Sequence, residues 1–161
     1  MTKKTDHQKM VPENPGLPEE VDFDEKRYTF TSDQKEQITT CIKEYLQKRR
    51  EIRFAFLHGS FLEELPCRDI DIGVCFQKEL TPDDIFDLTV DLSLELTLLV
   101  RAPVDVHALN QAGNAFCYHV TQGVLLLSRD EEETYTFIEK TWRDYLDFQP
   151  LTGQILHDLL A

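Results

Sequence analysis

Between Asp69 and Phe76 the chain alternates without a break: Ile70, Ile72, Val74 and Phe76 fall on one side, Asp69, Asp71, Gly73 and Cys75 on the other. Successive side chains of a strand point to opposite faces, so this run predicts a strand with one face in a core. Its other face then carries two carboxylates two residues apart, with Cα atoms about 6.6 Å from each other. Such a pair repels unless a cation lies between them. Mg2+ is the natural one, because it takes hard oxygen ligands and keeps positions for water or phosphate. On an edge strand the same pair is only a solvated face; the apolar opposite side and the turn before the strand argue against that.

That turn is Gly59-Ser60, at the end of a second expected strand, Ile52 to His58, in which Ile52, Phe54 and Phe56 share a face. Glycine lets backbone approach a ligand, and the Ser60 hydroxyl stands beside the N–H groups of an expected short helix start, which together make an anion site. A Gly-Ser after a strand is also an ordinary turn. A third carboxylate, Asp105, sits between Val104 and Val106 in an apolar strand, where a lone acid is penalised unless paired or metal-bound. If that strand neighbours the Asp69 strand, three carboxylates converge. They would then support in-line displacement at phosphorus by two metals about 3.5–4 Å apart. His107 shares a face with Asp105 and either joins the carboxylates in a transition-metal site or is an ordinary hydrogen-bonding or packed side chain. His58 either covers its strand end or lines the phosphate pocket. Ser60 is no hydrolytic nucleophile, since it lacks a G-x-S-x-G elbow and a paired base.

The remaining elements follow from periodicity and capping. A first helix starts at Ser32 or Asp33, with Asp33 and Glu36 spaced as a capping box, and ends in Lys48, Arg49 and Arg50, which suit its negative C-terminus. Thr81 to Val100 alternates like a strand but also carries a helical stripe. Its length, with Thr81, Pro82 and Asp84 at its start, predicts a helix buried on most of its circumference. A strand Val104 to Leu109, a short helix Ala112 to Thr121 and a strand Val124 to Ser128 come next. A last helix starts at Asp130, capped with Glu133, and has Phe137, Ile138, Trp142, Tyr145 and Leu146 inside. Pro150 is expected to interrupt it before a final turn of helix, Leu151 to Leu160. The order αββαβαβα predicts an α/β (α+β) fold with a mixed four-stranded sheet, its first two strands antiparallel. Residues 1–30, with Pro12, Pro15, Gly16 and Pro18, read as a flexible N-terminal arm ahead of a domain at 31–161.

Composition narrows the partners. With 30 Asp+Glu against 17 Lys+Arg and a formal charge of -13, the chain is a poor candidate for stable nucleic-acid binding. A divalent cation in an acidic site and a basic protein partner both fit that charge. The apolar stretch Leu92 to Val100 is broken by Ser93, Glu95 and Thr97, whereas a membrane span takes about 20 apolar residues. No apolar run follows the first ten residues, and Cys41, Cys67, Cys75 and Cys117 lie far apart. A cytoplasmic protein with reduced thiols is the expectation.

The run Gly59-Ser60, Asp69-x-Asp71 and then Asp105 on a later strand resembles the nucleotidyltransferase fold of the DNA polymerase beta superfamily. More narrowly, it is similar to the minimal nucleotidyltransferases, the MntA-like antitoxins paired with HEPN toxins. Val104-Asp-Val-His-Ala-Leu-Asn110, Leu125 to Asp130 and Tyr145 to Pro150 are similar to that subgroup. The resemblance implies that Asp69 and Asp71 hold two Mg2+ ions and that Asp105 completes the site and helps deprotonate the acceptor. Gly59 and Ser60 would hold the β- and γ-phosphates. It implies AMP transfer from ATP to a tyrosine hydroxyl of a HEPN-type partner. The spacer after Ser60 is shorter than the commoner family form and carries Glu63 and Glu64 where Arg-Gly often stands. Arg68 supplies a compensating charge. Those departures suit an alternative, a binding module that neutralises a partner by contact.

Overall fold

The computed structural model describes residues 26–160. Most of the expected arm lies outside the described residues, but its end does not. Tyr28 is buried, and its backbone exchanges two hydrogen bonds with Cys67, so the packed unit takes in residues before Thr31.

Helix α1 (Ser32–Gln47) leads into strand β1 (Ile52–His58), a single 3-10 turn (Ser60–Leu62), strand β2 (Ile70–Phe76) and helix α2 (Pro82–Val100). Strand β3 (Val104–Ala108), helix α3 (Asn114–Thr121), strand β4 (Val124–Ser128) and helix α4 (Glu131–Leu160) complete the chain. The sheet order is β3-β2-β1-β4. β1 pairs antiparallel with β2 and β4, while β2 and β3 are parallel, joined through α2. The mixed four-stranded sheet and the antiparallel first pair are as expected from the sequence. Helices α1 and α2 cover one face, against Ile70, Ile72, Val74 and Phe76; α3 and α4 cover the other, against Phe54, Phe56 and Cys75. The four thiols are free, and no described helix is long and apolar enough to cross a membrane.

Several local expectations change in the folded chain. Ile52 does not share a face with Phe54 and Phe56. A bulge between Ile52 and Phe54 inserts an extra residue, which flips the alternation and puts Ile52 in the opposite core layer. The capping box of α1 is Thr31 with Gln34, two residues earlier than Asp33 with Glu36. Of the basic knot, Lys48 is the C-cap residue of α1, but no basic side chain lies in that helix's last turn. Instead Arg49 bridges Glu51 and Glu95, and Arg53 pairs with Glu133 on α4. Thr81 with Asp84 and Asp130 with Glu133 cap α2 and α4 as their spacing indicates.

Pro150 does not interrupt α4, which runs unbroken to Leu160. Proline forfeits one backbone bond, but residues 146 to 150 are exposed, so the freed carbonyl is open to solvent. Trp142 lies at the rim rather than in the core, its Nε1–H donating to Thr121 Oγ1 at 2.9 Å. Tyr145 stacks on Tyr118, and Leu146 is exposed.

Helix α2 departs most from its expected burial. Ile85, Leu92, Leu96 and Val100 face the sheet, but Phe86, Val90, Leu94 and Leu98 form an outer column, each 50–70% exposed. The polar interruptions of its apolar stretch have a structural use. Ser93 Oγ accepts the Val106 N–H at 3.0 Å, and Thr97 Oγ1 accepts the Val104 N–H at 2.9 Å. β3 is an edge strand, and these hydroxyls cover its open side while holding Asp105 between them.

Candidate active site

Strand register assembles the site. His58 on β1 lies opposite Asp71 on β2, and Asp71 lies opposite Asp105 on β3. One step along, Phe56, Gly73 and His107 form a second row on the same face. The Asp71 and Asp105 carboxylates and the His107 imidazole each offer a donor atom, all within 4.8 Å of one another. His107 Nε2 is 3.2 Å from Asp105 Oδ2 and 3.6 Å from Asp71 Oδ1. Asp105, the outermost, is exposed; Asp71 is half-buried.

Asp69 stands one residue before β2, half-buried and outside that cluster. Its charge still reaches Asp71. Burial raises the Asp71 pKa above the usual carboxylate range, and Asp69 and then Asp105 add to the rise, with His107 opposing it. A carboxyl in that position is held where its own negative charge is disfavoured, which is the electrostatic condition a divalent cation relieves.

Gly59 closes on this cluster. Its φ is 80°, and a Cβ built there would stand 2.4 Å from Asp71 Oδ2, so only glycine lets the turn pass over the carboxylate. Ser60, half-buried, opens the 3-10 turn. The expected short helix is therefore one turn long. Arg68, Glu63 and Glu64 are exposed on the loop between that turn and β2. The Glu63 carbonyl accepts a hydrogen bond from Lys35 of α1, whose ammonium also lies 5.6 Å from the Phe61 ring centroid. Lys35 anchors the loop from 28 residues away in sequence, and no spacing signal could reveal it.

His58 ends β1 opposite Asp71, beside the carboxylate cluster. Burial, then the neighbouring His107, hold its pKa down to about 4, with Asp105 partly opposing, so it is neutral at pH 7. Its Nε2 is buried without a hydrogen-bond partner among the described residues. Phe116, at the start of α3, packs edge-on against both rings, 5.7 Å from His58 and 5.3 Å from His107. Phe116 escaped sequence reading because α3 comes to the site over Gly73, where any Cβ would stand 2.5 Å from Val120 Cγ1.

The sequence model described as polymerase beta, nucleotidyltransferase matches residues 40–132. No curated protein sequence matches the chain. Among solved structures it is similar to a chain of the tri-AMPylated Shewanella oneidensis HEPN toxin in complex with MNT antitoxin. That match has 24% identity and a TM-score of 0.61, covering 79% of this chain and 99% of that one. A toxin–antitoxin structure with AMP-PNP matches at 25% identity and a TM-score of 0.61, over 76% of this chain and 98% of the other. An MntA–HepT toxin–antitoxin structure matches at 22% identity and a TM-score of 0.56, over 81% and 100%.

Proposed function

Because the chain belongs to the polymerase beta nucleotidyltransferase family, we propose that it is a nucleotidyltransferase antitoxin, moving AMP from ATP to a hydroxyl of a HEPN-type partner toxin. A tyrosine is the acceptor and pyrophosphate the leaving group. The observation that carries the reading is the register match of Asp71 with Asp105, beside a glycine turn that permits no side chain.

The donor set suits a divalent cation. Asp71 and Asp105 present hard oxygens to one spot, and Asp71 resists ionisation in the absence of a positive neighbour. Asp69, Asp71 and Asp105 would hold Mg2+, which when bound neutralises phosphate charge and lowers the pKa of an oxygen nucleophile. The chain's own groups do the rest. Gly59 brings backbone N–H groups close to the β- and γ-phosphates, and the Ser60 hydroxyl donates to them. Arg68 adds a positive charge to a loop that otherwise carries Glu63 and Glu64. Asp105, exposed at the outer strand, accepts the proton from the acceptor hydroxyl as its oxygen attacks the α-phosphorus and the bond to pyrophosphate breaks.

The fold match with toxin–antitoxin chains, one of them with AMP-PNP, supports the choice of donor and partner. A second reading, neutralisation by contact alone, is favoured by one feature, the exposed column Phe86, Val90, Leu94 and Leu98 on α2. The test separates them. The protein is incubated with Mg2+, ATP labelled at the α-phosphate and the HEPN-type product of the neighbouring gene. Label on the partner that disappears in Asp71→Asn supports transfer. A partner silenced without label supports contact.

A further inference from the structure

We infer that His107 is a direct ligand of the catalytic cation through Nε2, making the site a mixed nitrogen–oxygen centre that favours first-row transition ions over Mg2+. The inference rests on the transferase reading and goes beyond it, since carboxylates alone would make an all-oxygen site.

The geometry comes from the strand register. Asp105 and His107 are two apart on β3, so both face the Asp71 side of the sheet. The donor spacings of 3.2 Å to Asp105 and 3.6 Å to Asp71 are those of ligand atoms around one ion. Bonds of about 2.0–2.2 Å meeting at octahedral or tetrahedral angles separate neighbouring donors by about 3.0–3.6 Å. Phe116 packed edge-on at 5.3 Å sets the plane of the ring. The His107 side chain is 36% exposed, so an ion reaches Nε2 from solvent. A cation held between Nε2 and the two carboxylates would take the place of these direct His107 contacts. Imidazole is a borderline ligand that suits transition ions, whereas Mg2+ prefers oxygen and water.

The experiment uses Mn2+ as a paramagnetic probe on the full chain. Pulsed EPR is expected to show 14N modulation from a directly bound imidazole. Modulation vanishes in His107→Gln, Mn2+ affinity falls about tenfold or more and Mg2+ affinity changes less than threefold. Labelling the wild-type chain with 15N-histidine must replace the 14N pattern, which tests the assignment without a variant. Mn2+ bound with no nitrogen coupling, or coupling that survives in His107→Gln, overturns the inference and leaves the transferase reading standing. Failure to bind either cation overturns both.

Discussion

Asp71 and Asp105 occupy the same register position on two adjacent parallel strands, so the carboxylates face one spot although 33 residues, including all of α2, separate them along the chain. The backbone at both positions is held, because β2 is a central strand and the open edge of β3 is bonded to Ser93 and Thr97. The arrangement opposes stability in the absence of a cation. A carboxyl whose folded pKa is raised binds its proton more tightly in the native state, so its contribution worsens as pH climbs past its unfolded value. At pH 7, Asp71→Asn is therefore expected to stabilise the cation-free chain by about 1 kcal/mol while removing transfer, a trade typical of functional sites. Urea denaturation in EDTA, run beside the transfer assay, reads both; a destabilised variant would refute the electrostatic account.

Gly59 is the position of the site where a side chain meets a steric bar. Gly59→Ala must accommodate both a left-handed φ of 80° and a Cβ 2.4 Å from Asp71 Oδ2. The expected cost is about 1–3 kcal/mol of stability, with loss of transfer because the carboxylate is displaced. Denaturation midpoints and cation titration of the variant check it. Normal affinity for the cation would show that Asp71 stays in place.

Two leucines of α2 offer a contrast in burial. Leu96 is fully buried, whereas Leu98 is 70% exposed. Leu96→Ala is expected to cost about 2–5 kcal/mol and Leu98→Ala less than about 0.5 kcal/mol. Similar losses for the two would mean that the outer column is covered in the isolated protein.

The pairing of Arg53 with Glu133 ties β1 to the first turn of α4. It holds the Glu133 carboxyl below its usual pKa, with Lys78 assisting and slight burial opposing. A depressed carboxylate contributes stability above its unfolded pKa and loses it as pH falls through the folded value. Glu133→Gln is expected to cost about 0.5–1 kcal/mol at pH 7, discounted for the solvent that reaches the pair. The difference between the two proteins should shrink as pH falls below the usual glutamate range, as followed by thermal melts across pH.

The strand Ile70–Phe76, the helix starts at Thr81 and Asp130, and the residues that share one face of that strand were legible in the sequence. They depend on local geometry: two-residue alternation, side chains that cap their own backbone, and a glycine where backbone must pass close. The alternating leucines of α2 marked more apolar surface than one sheet face covers, but which of them the sheet would take was not written there.

Sequence by itself determined the alternation that aims Asp71 and Asp105 outward from the core, because strand periodicity is set by covalent geometry. Only the tertiary structure decided that β3 lies beside β2 in that register, that a bulge moves Ile52 across the sheet and that α3 carries Phe116 to His107. Those choices depend on how whole faces pack and on where an edge strand finds partners for its open N–H groups. Such quantities exist only once distant segments meet.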